Sequence, residues 1–304
     1  MIVNYVRVLM FPVVCMYALF ALNLVMVKAG LGYIHPIFLQ GIRLFIAGNL
    51  LLVYLYFFKP TTLNVDKKDI LSFVQAGFFL MYISFVLGIM SLDDFSSANQ
   101  SSLLNLSPFL AALLSYVYFA ERLTKYKWIG LVIGVFGFIP LILLSSVDPA
   151  NKATFFSIPG MQATGSIFGY TYGLVLVRQL VKDKGYSPLL INGITMALGG
   201  VLALCTSFFL ETWYIESFSL LFEPFLFGLI IVVLCTDMLR YNMYAMLLRR
   251  YTVTFMSFAG FMYPLFAALF GWLFLKESIS KCFLISTSII SIGLYVFYLE
   301  ELRK

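Results

Sequence analysis

Long apolar stretches separated by short polar connections occupy nearly the whole chain. A membrane-spanning helix needs about 20 consecutive apolar residues, and ten stretches reach or approach that length. No connection between them is long enough to form a separate soluble domain. The pattern therefore predicts an all-α polytopic membrane protein with ten transmembrane helices, over residues 8–28, 36–58, 70–91, 95–119, 127–146, 155–181, 188–210, 220–248, 254–275 and 281–299.

Composition agrees with the bilayer as the main solvent of this chain. Of 304 residues, 62% are hydrophobic and only 11% are charged, whereas a soluble protein of this size needs far more polar surface. The four cysteines lie in or beside apolar spans and form no Cys-x-x-Cys or metal-binding spacing. Such cysteines are typically small buried apolar residues. We therefore expect no metal, no cofactor and no disulfide framework.

The basic residues are distributed unevenly between the two sides of the predicted membrane domain. The net charge is +6, and with the N-terminus inside, the inner segments carry 13 of the 20 Lys and Arg residues and the outer segments 4. An excess of cationic loops marks the cytoplasmic side. We therefore predict a multi-pass protein of the cell (inner) membrane with both termini cytoplasmic. This charge requires no nucleic-acid partner.

One short pattern occurs twice, 156 residues apart. Pro108 begins Pro-Phe-Leu-Ala-Ala-Leu and is followed by Glu121, and Pro264 begins Pro-Leu-Phe-Ala-Ala-Leu and is followed by Glu277. The same spacing separates two further pairs, Lys125 with Lys281 and Gly137 with Gly293. Two copies of one unit in an apolar chain are typical of a membrane transporter.

The two copies are predicted to have opposite orientations. Each copy contains five spans, and an odd number makes the second copy enter the membrane from the side opposite to the first. The Glu121 loop then lies in the cytoplasm and the Glu277 loop outside. Inverted repeats of this kind place the substrate site near the midplane, where the halves meet.

The repeated Pro…Ala-Ala-Leu…Glu…Gly pattern, with Pro36 followed by Arg43, resembles the EamA repeat of the drug/metabolite transporter superfamily. The resemblance covers nearly the whole chain. It implies ten transmembrane helices as two inverted five-helix repeats, residues 1–150 and 151–304, around a central cavity. The 156-residue spacing pairs Arg43 with Gly199, so Arg43 is expected to be an asymmetric feature.

Asp237 and Arg240 lie near the middle of the predicted span 220–248. A charged side chain at that depth costs about 2.5–3.5 kcal/mol on insertion scales. Three residues apart on a helix, the two can contact each other. A zwitterionic substrate would use Asp237 for its cation and Arg240 for its carboxylate or phosphate. The alternatives are a self-neutralising pair that only stabilises the bundle, and a proton-carrying role for Asp237 that Arg240 opposes by stabilising the charged carboxylate.

Further polar residues in the spans complete the predicted substrate-binding set. Arg43 either extends towards the outer surface or faces an outer vestibule. Asn105 and Asn23 either bond to neighbouring helices or contact substrate. Deep tyrosines need a hydrogen-bond partner, which the cavity would supply. The predicted set is Asp237, Arg240, Tyr241, Asn105, Tyr263, Tyr82, Asn23 and Arg43.

Pro108 and Pro264 are predicted to kink their spans, because a proline in mid-helix removes a backbone donor. Such kinks act either as gates or as static bends.

The sequence thus predicts a secondary-active carrier, not an enzyme. It would move a small polar metabolite (an amino acid, an amine or a nucleoside-like compound such as S-adenosylmethionine) by alternating access. No Gly-x-x-x-x-Gly-Lys sequence is present to bind ATP, so a coupling proton or a counter-substrate would drive transport. The lipid bilayer is also an expected partner. The protein would be either a monomer or a homodimer, and in a homodimer a second copy is a further partner. The alternatives are a channel or lipid scramblase and a membrane-embedded enzyme, although no catalytic constellation is visible.

Overall fold

A computed structural model of the chain describes a set of segments in which all regular structure is helical. They comprise residues 2–31, 33–92, 97, 100, 104–107, 109–110, 113–114, 124–137, 139, 157–211, 224–250, 259–260, 262–279 and 281–302. The longer helices are α1 (Ile2–Gly30), α2 (Pro36–Phe58), α3 (Ile70–Leu92), α4 (Lys125–Gly137), α5 (Ile158–Arg178), α6 (Pro188–Leu210), α7 (Pro224–Arg250), α8 (Met262–Leu275) and α9 (Lys281–Leu302).

Short non-α turns interrupt or extend these helices. The middle of α3, Gly77–Ile83, is π-helical, and a second π-helical turn, Gln179–Asp183, continues α5. Two 3₁₀ turns occur at Pro60–Leu63 and Leu104–Leu106. The second lies in the predicted span 95–119, most of which is outside the described residues, as is the end of the predicted span 127–146.

Five of the described helices are long and apolar enough to cross a membrane. They are Phe11–Gly30, Pro36–Phe58, Ile70–Leu92, Pro188–Leu210 and Ile230–Leu247, and two shorter apolar helices are Met262–Leu275 and Phe283–Gly293. The outward faces are also apolar: Phe57, Phe58 and Phe209 are 71%, 72% and 81% exposed. Large exposed aromatic groups at this density suit a lipid environment rather than water. The fold is therefore that of a multi-pass membrane protein.

Helices α2 and α6 begin in the same way. Pro36 and Pro188 each occupy the first turn, where proline removes no helical hydrogen bond and its φ is already helical. Both helices contain 23 residues, and their starts are 152 residues apart. The 156-residue spacing of the other repeated pattern therefore does not hold here. In this alignment the counterpart of Arg43 is Thr195 rather than Gly199.

Glycines allow α2 and α6 to cross closely in antiparallel orientation. A Cβ on Gly48 would lie 2.3 Å from the Ala197 nitrogen, and a Cβ on Gly200 would lie 2.4 Å from the Phe45 nitrogen. The two contacts are equivalent, because Gly200 lies 152 residues after Gly48 and Ala197 lies 152 residues after Phe45. Gly41 against Leu204 and Gly193 against Leu52 form a second such pair. Only a glycine permits this backbone approach.

Other pairs of helices also pack closely. Helix α4 packs on α9, where a Cβ on Gly137 would lie 2.9 Å from the Ile290 nitrogen and a Cβ on Gly293 would lie 2.5 Å from the Gly134 nitrogen. Helix α1 packs against α7 and α8, and α3 packs against α5 and α6. The two parts of the chain are therefore interleaved rather than side by side.

A buried carboxylate connects helices at the end of the bundle where α1 and α8 finish. Glu277 pairs with Lys28 at 2.8 Å and accepts hydrogen bonds from the backbone and hydroxyl of Ser97 at 3.0 and 3.2 Å. Lys276, with φ of 55°, ends α8 in the left-handed region, and Glu277 folds back over Gly271, where a Cβ would lie 2.5 Å from its Oε2. The chain reversal thus directs Glu277 to α1.

Glu211 has a comparable role at the same end, because α2 starts where α6 finishes. Its two carboxylate oxygens accept hydrogen bonds from the Ile37 and Phe38 backbone N–H groups at 2.8 and 2.9 Å. A carboxylate on these N–H groups satisfies donors that have no partner within the helix. Glu211 thereby fixes the start of α2 against the end of α6.

At the opposite end, Asp69 joins the start of α3 to the connection between α5 and α6. It accepts a hydrogen bond from the Tyr186 hydroxyl at 2.8 Å and pairs with Lys184 at 3.1 Å. The Tyr186 hydrogen bond and Lys184 together hold the pKa of the Asp69 carboxyl below its usual value.

Candidate functional site

A cavity of about 190 Å³ lies in the interior of the bundle, between α1, α2, α3, α5, α7 and α8. Most of its wall is apolar or aromatic, and a few polar groups converge on it. This combination is typical of a ligand-binding pocket. Its polar side is formed by α1, α2 and α7, which carry Asn23, Gln40, Arg43 and Arg240.

A buried carboxylate between two guanidinium groups organises that polar side. Asp237 accepts from Arg43 Nη1 at 3.0 Å on one oxygen, and from Arg240 Nε and Nη2 at 3.0 and 2.5 Å on the other. All three side chains are at least 95% buried. We call Arg43, Asp237 and Arg240 the charge cluster. Its net charge is one positive unit.

Neutral side chains hold Arg43 in this arrangement. Its Nη1 also donates to Asn23 Oδ1 at 3.2 Å, and its Nε donates to Gln40 Oε1 at 2.8 Å; Nη2 donates to the same Gln40 oxygen. Asn23 in turn donates to Thr236 Oγ1 at 2.7 Å and to the Val233 carbonyl at 3.2 Å. Helices α1, α2 and α7 are therefore joined by one polar network. A buried network of this kind is stable only when its members are paired.

Aromatic rings cover both guanidinium groups. The Arg240 Cζ lies 4.7 Å from the ring centres of Phe20 and Tyr241 and 5.7 Å from that of Phe85. The Arg43 Cζ lies 5.2 Å from the Phe85 ring centre. Cation–π contacts stabilise a buried arginine without neutralising it. The charge cluster thus keeps its positive charge at the cavity wall.

The charged side chains on the described wall are Arg43, Arg178 and Arg240, and no described carboxylate belongs to it. Asp237 is 0% exposed and lies behind the two arginines. Among the described residues, no group of three or more His, Cys, Asp or Glu side chains could hold a metal ion. The arrangement is therefore suited to binding an anionic or electron-rich organic group.

Sequence comparison identifies the family. The EamA-like transporter family matches residues 9–143 and again residues 161–299. The chain belongs to this family. Its members are transporters rather than enzymes, and the cavity described above is the candidate substrate site of an EamA-like transporter.

Several relatives of this EamA-like transporter come from chlamydiae. A protein of Chlamydia trachomatis serovar D, named S-adenosylmethionine/S-adenosylhomocysteine transporter, is 31% identical over 281 residues, covering 91% of this chain and 85% of its own. A Chlamydia muridarum protein of the same name is 29% identical over 282 residues, covering 91% and 87%. A solved crystal structure, 15% identical, matches 97% of both chains with a TM-score of 0.62, which indicates the same fold.

Five of the predicted site residues line the cavity of this EamA-like transporter: Asn23, Arg43, Arg240, Tyr241 and Tyr263. Arg43 does not extend outwards, because its side chain is only 2% exposed and lines the cavity. It turns inwards because Asp237, Asn23 and Gln40 supply acceptors there.

Other predicted site residues lie elsewhere. Asp237 is behind the wall, because both of its oxygens are used by arginines. Tyr82 shares a 2.6 Å hydrogen bond with Thr206 and does not line the cavity. Pro264 is the third residue of α8 and follows a turn at Gly260, which separates α8 from helical Ala259; its kink stays a prediction. The Asn105 side chain and Pro108 lie outside the described residues.

Many residues of the wall were not predicted, among them Phe20, Gln40, Phe85 and Gln100. One signal for Gln40 was available. It precedes Arg43 by three residues on one helix, which puts both side chains on the same face. The two phenylalanines carried no signal, because their rings cannot be distinguished by sequence from the many that face lipid.

Proposed function

We propose that this EamA-like transporter is a secondary-active carrier for S-adenosylmethionine and S-adenosylhomocysteine, and that it moves them by alternating access. The observation that carries the proposal is the interior cavity whose wall combines two buried guanidinium groups with aromatic rings. S-adenosylhomocysteine offers a carboxylate for the arginines and a planar adenine for the rings. The names of the chlamydial relatives, which match 91% of this chain, support the same substrates.

We further propose ten spans arranged as two inverted five-helix repeats, residues 1–150 and 151–304. The reciprocal contacts of α2 with α6, and of α4 with α9, support a two-fold relation between the repeats. The two separate matches to the family support the same division. In this arrangement the cavity lies between the repeats, since its wall takes residues from both.

The unequal distribution of Lys and Arg supports an orientation with both termini in the cytoplasm, in the cell (inner) membrane. Energy would come from an exchanged counter-substrate or an ion gradient.

In this proposal Arg43 and Arg240 attract the substrate anion, and Tyr241, Tyr263 and Asn23 contact other parts of the molecule. Asn105 stays a predicted contact. Asp237 keeps the two arginines together rather than binding a substrate cation. Pro264, beside Tyr263 and after the turn at Gly260, stays a predicted hinge, and Pro108 stays its predicted counterpart.

Counterflow in proteoliposomes tests the function. Vesicles loaded with unlabelled S-adenosylhomocysteine are diluted into a trace of labelled S-adenosylmethionine, and we expect transient accumulation of label above equilibrium. Arg240→Gln protein, reconstituted at the same density, should lose this overshoot. A flux that does not saturate and shows no counterflow would indicate a channel. Wild-type vesicles that take up neither compound would refute the proposed substrates.

A further inference from the structure

We infer that the cavity contains a carboxylate-binding subsite, formed by the side-chain amide nitrogen of Gln40 together with Nη1 of the Arg240 guanidinium. The inference deepens the proposed function, on which it rests only for the choice of substrate. It assigns to Gln40 a recognition role that the repeat pattern does not indicate.

The orientation of the Gln40 amide follows from its partners. Its oxygen accepts hydrogen bonds from Arg43 Nε, at 2.8 Å, and from Arg43 Nη2. An arginine only donates hydrogen bonds, so the atom facing it must be the amide oxygen. The amide nitrogen then points away from Arg43, is fully buried and has no hydrogen-bond partner among the described residues.

A buried donor without a hydrogen-bond partner in this position destabilises the folded protein. A buried polar group without a partner costs about 1–3 kcal/mol, and Gln40 is 0% exposed. Since Gln40 also lines the cavity, a bound acceptor would satisfy its nitrogen. The neighbouring arginines make an anionic acceptor the best match.

Arg240 supplies the second donor. Its Nε and Nη2 are directed at Asp237, and within the described part of the chain no acceptor contacts its Nη1. Arg240 lines the cavity, while Asp237, which compensates only one of the two guanidinium charges, does not. One positive charge is therefore left for a ligand. A carboxylate that accepts from an amide N–H and a guanidinium N–H uses both orphaned donors.

Gln100 provides a different kind of group on the same wall. Its nitrogen donates to the Gly88 carbonyl at 2.6 Å and to Ser91 Oγ at 3.0 Å, which makes its buried Oε1 the unpaired atom. This oxygen is an acceptor and suits an N–H group of the substrate. An orphaned donor and an orphaned acceptor in one cavity fit an amino-acid moiety or an amino-acid-substituted nucleoside.

The test compares pairs of compounds that differ only in the carboxylate. Dissociation constants are measured by calorimetry, in nanodiscs, for S-adenosylhomocysteine and its decarboxylated form, and for phenylalanine and 2-phenylethylamine. We expect wild-type protein to prefer the carboxylated member by about 10–100-fold, the contribution of one charge-assisted hydrogen bond or more. The ratio of the two dissociation constants measured on one protein sample does not depend on the fraction of that sample that is folded.

Gln40→Glu removes the donor and also offsets the remaining positive charge of the cluster. Glutamate keeps an oxygen for Arg43 but replaces the N–H with a second oxygen, so the carboxylate preference should fall to about one. Asn192→Asp is the matched control, because Asn192 is the fifth residue of α6 as Gln40 is of α2, is 2% exposed and donates to Asn242 rather than to the cavity. It should keep the wild-type ratio. Gln100→Leu should weaken both members of each pair equally.

The outcomes separate the two proposals. Equal binding of both members of each pair by wild-type protein, an unchanged ratio in Gln40→Glu, or no binding of any carboxylated compound would overturn the subsite. If S-adenosylhomocysteine does not bind but phenylalanine is preferred over 2-phenylethylamine, and Gln40→Glu removes that preference, the subsite stands and the proposed substrates are wrong.

Discussion

Arg43 on α2 and Asp237 on α7 form a 3.0 Å ion pair although 194 residues separate them in the chain. Asp237 also binds Arg240 on its own helix, so one carboxylate pairs with two guanidinium groups and neutralises only one of their charges. The pair joins the first part of the chain to the second beside the cavity. The position of this carboxylate explains why the wall is positively charged.

Removing the Asp237 charge should destabilise the protein. Asp237→Asn leaves two buried guanidinium groups without a counter-ion, and breaking a buried pair in this way costs about 3–5 kcal/mol. We expect a clear fall in the midpoint of thermal unfolding in detergent. The double variant Asp237→Asn/Arg43→Gln should lose less than the sum of the single variants, because it restores the original net charge. Additive losses would show that Arg43 and Asp237 are not coupled.

The Lys28–Glu277 pair should be energetically coupled. The two side chains are only 18% and 14% exposed, so the attraction between them is weakly screened. A double-mutant cycle with Lys28→Met and Glu277→Gln should give an interaction energy of about 0.5–3 kcal/mol. Lys281→Met is the control, since Lys281 is exposed and close to Glu277 in sequence. Coupling of Glu277 to Lys281 instead of Lys28 would contradict the structure.

The α2–α6 crossing should not tolerate a methyl group. In Gly48→Ala the new Cβ would meet the Ala197 backbone, and in Gly200→Ala it would meet the Phe45 backbone. Overpacking of this kind costs about 1–3 kcal/mol or more, and we expect lower unfolding midpoints. Gly228→Ala in α7 is the control, because nothing lies within 4 Å of its added Cβ. Alanine is the better helix former, so this variant should be neutral or slightly stabilised.

Acid should weaken the contact at Asp69. Tyr186 and Lys184 hold the pKa of this carboxyl below its usual value, while in the unfolded chain it is near 3.9. The stabilisation is therefore complete above about pH 4 and is lost as pH falls through the lower folded pKa. The difference in unfolding midpoint between wild type and Asp69→Asn should be constant near neutral pH and shrink below pH 4. A difference that is the same below pH 4 as near neutral pH would contradict this prediction.

The inverted arrangement predicts opposite labelling at two equivalent loops. In a background with Cys15, Cys205, Cys235 and Cys282 replaced by serine, single cysteines are placed at Lys125 and Ile279, both exposed. A membrane-impermeant maleimide applied to intact cells should label position 279, while position 125 should react only after lysis. Labelling of both positions from the same side would refute the inverted repeats.

Much of the helical framework was predictable. Spans 36–58 and 188–210 match α2 and α6 at both ends, because proline at the first turn and the end of the apolar run both act locally. The start of α8 was less predictable. Within the apolar run 254–275, a turn at Gly260 separates helical Ala259 from the described start of α8 at Met262, and no change in hydrophobicity indicates it.

The sequence by itself determined that this chain spans a membrane repeatedly, where its helices run and which charged residues lie within them, because the length of an apolar run and the cost of a buried charge are properties of the segment itself. The tertiary structure decided that Arg43 meets Asp237, that Asp237 stands behind the cavity wall and that Gln40 presents an unpaired donor. These relations depend on how the helices are rotated against one another. Lipid and protein interior are both apolar, so hydrophobicity alone does not distinguish the face of a helix that meets lipid from the face that lines the cavity.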